Sequence, residues 1–170
     1  MRARLTGGLW TAGLMTLAMA GSTRKLVAES DQASQQARVT ASAEIAGKRY
    51  DYSGPGECYY TAGGSIYEQP AAMWHARFEA RGNPMSHANL AIWQLREDRS
   101  IRVNLSIIVG NVSYDIYTAT PDAARGTAVG GVEKSATGGR VTAEGRTANA
   151  VAVRISVSCS RFAAPEDNGD

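Results

Sequence analysis

Apolar and polar residues alternate with a period of two through most of residues 39–162. Ile101-Arg102-Val103-Asn104-Leu105-Ser106-Ile107 puts aliphatic side chains on one side and Arg, Asn and Ser on the other. Residues 151–159 repeat the pattern and bring Cys159 onto the apolar side. Both segments predict half-buried strands. Trp74, Ala76, Phe78 and Ala80 alternate with His75, Arg77 and Glu79, and Val112, Tyr114 and Ile116 alternate with Ser113, Asp115 and Tyr117, which predicts two more. Residues 90–95 read as a weaker strand, and residues 39–45 and 49–52 as strands on either side of Ala46-Gly47-Lys48. A short helix over 71–80 is the competing reading there, but aromatic alternation favours a strand.

Turn chemistry divides these runs. Gly110-Asn111 between two alternating segments is a hairpin signal. Gly82-Asn83-Pro84, Thr120-Pro121-Asp122, Gly130-Gly131 and Gly138-Gly139 read as further turns, the paired glycines alternatively as bulges. No internal repeat or strand–helix–strand alternation is present. The expected fold class is all-β, an antiparallel β-sandwich or partly closed barrel with one disulfide.

The amino terminus departs from this pattern. Arg2 and Arg4 precede an uncharged, mostly apolar run over 5–17, and Ala18-Met19-Ala20 has the small-x-small form that signal peptidase accepts. Residues 1–20 therefore read as a secretory signal peptide. The run is shorter than the roughly 20 apolar residues of a membrane span, although an uncleaved anchor is the alternative. The expected organisation is a signal peptide over 1–20, a flexible linker over 21–38, a β domain over 39–162 and a disordered acidic tail over 163–170. The expected location is secreted or in the cell envelope.

Export changes the charge balance. The chain holds 18 Lys and Arg against 16 Asp and Glu, and loss of Arg2 and Arg4 with the signal makes the two equal. A neutral mature chain has no general attraction to nucleic acid. Expected partners are an unknown protein or envelope component, with no nucleic acid and no transmembrane segment after signal cleavage.

Export also bears on the cysteines. Cys58 and Cys159 are the only two, and an even pair outside the cytoplasm reads as a disulfide. Such a bond closes a loop of roughly 100 residues, worth about 4 to 5 kcal/mol by chain entropy. Two buried thiols or a metal site are the alternatives. Metal is disfavoured because only His75 and His87 could assist and neither cysteine belongs to a closely spaced ligand pair.

No reactive constellation stands out among the remaining residues. No GxSxG elbow surrounds any serine. His75 or His87 could in principle meet Ser65 or Asp115, but a lone histidine on the polar side of a strand reads as a solvated side chain. Glu57, Glu68, Glu79 and Asp115 are available for paired-carboxylate chemistry, and acids on the wet side of a sheet are the simpler reading. Gly47-Lys48 lacks the rest of a phosphate loop. Asn104-Leu105-Ser106 and Asn111-Val112-Ser113 match the glycosylation sequon, discounted because the signal has bacterial character. No catalytic, cofactor-binding or metal-binding residues are expected, and no cofactor. Tyr50, Tyr52, Tyr59, Tyr60 and Tyr67 cluster around Gly54-Pro55-Gly56 as a possible ligand or partner surface, with cross-strand packing as the alternative.

Two blocks carry a family likeness. Ala43-Glu44-Ile45-Ala46-Gly47-Lys48, with Gly54, Cys58 and Thr61-Ala62-Gly63, resembles the start of the small mycobacterial lipoprotein antigens of the LpqH type. Gly139-Arg140-Val141-Thr142-Ala143-Glu144-Gly145-Arg146-Thr147-Ala148, leading to Val157-Ser158-Cys159, is similar to the family's end. The resemblance implies a compact β domain with one disulfide, a surface-antigen or binding role, and no catalytic residues. The chain departs from the family in having no lipobox cysteine after the signal. The functional expectation is an exported non-enzymatic binding or surface-antigen module. The alternative is an inhibitor of a lysozyme or protease that presents a rigid loop, either residues 82–87 or residues 52–56.

Overall fold

The computed structural model describes residues 36–119 and 124–164. The expected signal peptide, most of the expected linker and tail, and the turn at Thr120-Pro121-Asp122 lie outside these residues. The described chain holds nine antiparallel strands: β1 (Ala37–Ile45), β2 (Lys48–Ile66), β3 (Gln69–Glu79), β4 (Met85–Leu95), β5 (Ile101–Val109), β6 (Val112–Tyr117), β7 (Thr127–Lys134), β8 (Gly139–Arg146) and β9 (Ala152–Cys159). Their order is β6-β5-β4-β3-β2-β1-β9-β8-β7. The sheet bends into a nearly closed, barrel-like body, so the all-β reading holds. No helix among the described residues is long and apolar enough to cross a membrane.

The long strand β2 makes the bend. Its first half pairs with β1, from Lys48 opposite Ile45 to Gly56 opposite Ala37. Its second half pairs with β3, from Glu57 opposite Arg77 to Ile66 opposite Gln69. The change of partner falls at Gly54-Pro55-Gly56, where proline and small residues allow a strand to turn a corner. Segment 52–56, a candidate loop by sequence, is therefore part of a strand.

At the other end of the order, no ladder among the described residues pairs β6 with β7, and an isolated bridge joins Tyr117 to Arg125 just before β7. β7 instead lies across the inner face of β4 and β5. A Cβ at Gly130 would sit 2.9 Å from Ile92 Cδ1, 3.1 Å from Ile101 Cγ2 and 3.2 Å from Val103 Cγ2. Gly130-Gly131 is thus not a turn but the centre of β7. Glycine at 130 allows one sheet layer to approach the other closely.

The inward residues alternate as the pattern requires. Val39, Ala41 and Ala43 of β1, Leu90 and Ile92 of β4, Val103, Leu105 and Ile107 of β5, and Val153, Ile155 and Val157 of β9 are buried in one core. Cys58 and Cys159 form the disulfide, with Cα atoms 6.2 Å apart. It ties β2, just beyond the corner, to the end of the last strand. Ordered structure extends slightly past the expected domain bounds. Ala37 and Arg38 belong to β1, and Arg38 exchanges backbone and side-chain bonds with Ser160. Ala163 donates its N–H to Cys58 O and accepts from Tyr60 N. The disulfide holds the chain after Cys159 beside β2, which gives these backbone groups partners.

Candidate functional site

The five clustered tyrosines do not form one surface. Side chains alternate sides along a strand, so positions of equal parity on β2 share a face. Tyr52 is buried, and Tyr50 and Tyr60 pack half-buried against the same core. Tyr59 faces outward and stacks on His75, with centroids 5.9 Å apart. The ladder between β2 and β3 shifts between Thr61 and Gly64, and Tyr67 follows in the hairpin turn, 63% exposed. Its hydroxyl bonds to that of Tyr117. Next to Tyr67 in sequence, Ile66 belongs to a small apolar cluster with Ala71, Leu95 and Ala119, against which Trp93 and Tyr117 pack.

The two candidate loops, by contrast, do meet. Asn83 of the β3–β4 turn donates from Nδ2 to Asp51 O at 3.2 Å, and its Oδ1 accepts from Met85 N at 2.9 Å. Tyr52, Ser53, Gly54 and Pro55 line one wall of an open cleft, and Glu79, Ala80, Arg81, Gly82, Asn83 and Pro84 line the other. The cleft encloses about 490 Å³. A second, smaller hollow of about 200 Å³ adjoins it across Pro55 and Glu79 and is also lined by Glu57 and Arg77.

Packing and a hydrogen bond hold the corner under this cleft. The Tyr52 ring folds beneath it, and its hydroxyl donates to Pro55 O at 2.7 Å. A Cβ at Gly54 would overlap that hydroxyl and approach Tyr52 Cζ to 2.8 Å. The Tyr52 hydroxyl is harder to ionise than usual because it is buried. Gly110 N donates to Pro84 O at 2.8 Å, which ties the β5–β6 turn to the same end.

On the outer face of β2, β3 and β4 runs a ladder of polar side chains. Glu57 accepts from Arg77 Nε at 2.9 Å and from Arg77 Nη2 at 3.2 Å. Tyr59 Oη donates to Glu57 Oε2 at 3.3 Å. His75 Nε2 lies 2.8 Å from Asn89 Oδ1. Burial holds the His75 imidazole below its ordinary value, the Asn89 bond opposes this, Arg77 reinforces it and Glu57 opposes it. His87 sits opposite Glu79, and Asp115 opposite Ser106 on β6. Ser65 is near the end of strand β2, opposite Pro70, and Glu68 is in the following hairpin turn. No register pairs either histidine with Ser65 or Asp115.

An aromatic pair lies on the inner side. Tyr60 stacks on Trp74 with centroids 5.1 Å apart. Lys134 at the end of β7 places its ammonium 3.8 Å from the Tyr60 centroid and 5.0 Å from that of Trp74. The buried Trp74 Nε1 has no hydrogen-bond partner among the described residues. Tyr60 stands out in the sequence but this cage does not, because Lys134 comes from a strand with no strong alternation. The Arg77–Glu57 and His75–Asn89 contacts were equally unreadable, since they depend on the register between strands.

The chain matches no family model, no curated protein and no solved structure in the comparisons made.

Proposed function

We propose that the chain is an exported, non-enzymatic binding module, secreted or held in the cell envelope, and that its docking surface is the corner cleft between Tyr52–Pro55 and Glu79–Pro84. The observation that carries this reading is the lock between two distant segments: Asn83 fixed to Asp51 O, above a corner stiffened by the Tyr52–Pro55 bond. A preformed surface loses little freedom on binding, which favours recognition. The cleft is wide open and carries Ser53, Glu79, Arg81 and Asn83, polar groups suited to the surface of a protein or envelope polymer. The disulfide and the signal-like residues 1–20 support an oxidising, extracytoplasmic location. The resemblance to lipoprotein antigens of the LpqH type supports a surface role.

Photo-crosslinkable residues at Ser53 and at Glu144, on the outer side of β8, test the surface in the native host. Crosslinks from position 53 and not 144 are expected, and equal crosslinking from both would remove the cleft from the proposal. Hydrolysis by the purified protein that disappears in His75→Ala or His87→Ala would replace binding with catalysis.

The rigidity of the same corner favours inhibition of a hydrolase as the second reading. Lysozymes and secreted proteases titrated with the protein distinguish the two. Loss of enzyme activity that is relieved by Asn83→Ala would favour the inhibitor.

A further inference from the structure

Among the described residues the outer edge of β6 is paired only at Tyr117, and its sequence is self-complementary. Tyr117 N donates to Arg125 O and Arg125 N to Tyr117 O, so the backbone groups of Tyr117 point away from β5. Antiparallel bonding alternates along a strand. Ser113 and Asp115 therefore also direct their N–H and C=O groups to the open edge, while Val112, Tyr114 and Ile116 bond to β5. Edge strands are usually protected by Lys, Pro or a bulge. β6 carries neither residue and its ladder with β5 has no register shift. The other end strand, β7, carries Glu133, Lys134 and two glycines. Val112 is 52% exposed.

We propose that β6 pairs antiparallel with β6 of a second copy of this chain about a twofold axis at Tyr114. In that register Val112 faces the partner's Ile116, Ser113 faces the partner's Asp115, and Tyr114 faces the partner's Tyr114. Hydroxyl meets carboxylate and aromatic meets aromatic, both favourable cross-strand pairs, while Ile116 is already buried in its own core and adds no new surface. Ser113 donates to Asp115 of its own chain at 2.9 Å, and in the dimer its one O–H exchanges that carboxylate for the partner's. All open-edge backbone groups of Ser113 and Asp115 are satisfied, and partly exposed Val112 is covered. Sliding one chain by two residues puts Asp115 opposite Asp115, a like-charge pair. It also opposes Ser113 to Tyr117, whose edge groups Arg125 already occupies. Sliding the other way puts Ser113 opposite Ser113 and Asp115 opposite Asn111 of the turn, which leaves one hydrogen-bonded pair within the strands where the proposed register has two. The interface is isologous and closes on itself, which prevents fibre growth through this edge. Its short length predicts a weak, concentration-dependent dimer.

Sedimentation velocity of the full chain over a concentration series tests this directly. The expected result is a monomer–dimer equilibrium that Ser113→Pro weakens roughly tenfold or more, because the twofold axis removes two donors at once. Val112→Lys, at an exposed position, is expected to weaken it likewise and decides the matter if Ser113→Pro does not fold. Non-hydrogen-bonded antiparallel partners have Cα atoms about 4.5 Å apart, within disulfide reach. Tyr114→Cys should therefore form a cross-chain disulfide under mild oxidation, and Asp115→Cys should not. The native cysteines are already paired and give no background. A monomer at millimolar concentration, a dimer indifferent to Val112→Lys, or a covalent dimer from Asp115→Cys instead of Tyr114→Cys would each overturn the proposal.

Discussion

The ring of Tyr52 lies flat on that of Phe78, with centroids 3.9 Å apart and planes 6° from parallel. The two residues belong to different strands, and the stack sits where β2 leaves β1 and joins β3. It joins the corner to the core, so the candidate cleft rests on a packed foundation rather than on a loose loop.

Tyr52→Phe keeps the stack and removes the hydroxyl bond to Pro55 O. A loss of about 1 kcal/mol in urea unfolding is expected. Gly54→Ala forces a methyl group against the Tyr52 ring and should cost more, about 1 to 3 kcal/mol. If both variants match the parent, the corner is not held as described.

The disulfide spans 101 residues of sequence. Replacing both cysteines with alanine should lower stability by about 4 to 5 kcal/mol on the chain-entropy model. Denaturant titration of the oxidised parent and the double variant measures this. A difference below about 1 kcal/mol would mean that the reduced chain is already constrained by other contacts.

Gly130→Val puts branched carbon against Ile92, Ile101 and Val103 and should destabilise by about 1 to 3 kcal/mol. Val129→Thr, next to it but on the exposed side of β7, should stay within about 0.5 kcal/mol. Equal effects at the two positions would contradict the packing of β7 across β4 and β5.

His75 should make the fold sensitive to mild acid. Its imidazole is held below the ordinary value mainly by burial. As pH falls below about 6.5, the unfolded chain takes up a proton before the folded chain does. Stability is then complete above that pH and is lost as pH drops through the folded value. Asp51 and Glu144 are held low by hydrogen bonds from Arg49 and Arg154 respectively, so their contributions fade only in stronger acid. Melting temperatures between pH 7.5 and 5 should fall for the parent and fall less for His75→Gln. Parallel curves would show that burial of His75 has no part in the effect.

The candidate site was legible in pieces. Gly82-Asn83-Pro84 and Gly54-Pro55-Gly56 stand out in the sequence because glycine and proline have local conformational consequences. Their convergence depends on Asn83 reaching Asp51 O, a contact across 32 residues that no local pattern encodes. The tyrosine cluster was misleading for the same reason. Proximity in sequence brought five rings into view, and alternation along β2 then sent Tyr52 and Tyr60 inward and Tyr59 outward.

By itself the sequence determined the fold class, the strands at 101–109 and 152–159, and the expected pairing of Cys58 with Cys159. Each follows from local periodicity, or from there being only two cysteines. Tertiary structure alone decided that Gly130-Gly131 is the middle of a strand, that β2 serves two sheet halves, and that Lys134 covers Tyr60 and Trp74. These features arise from close approach between layers and from register between strands. Both are set by which side chains fit together once the sheet has bent, and neither leaves a period in the chain.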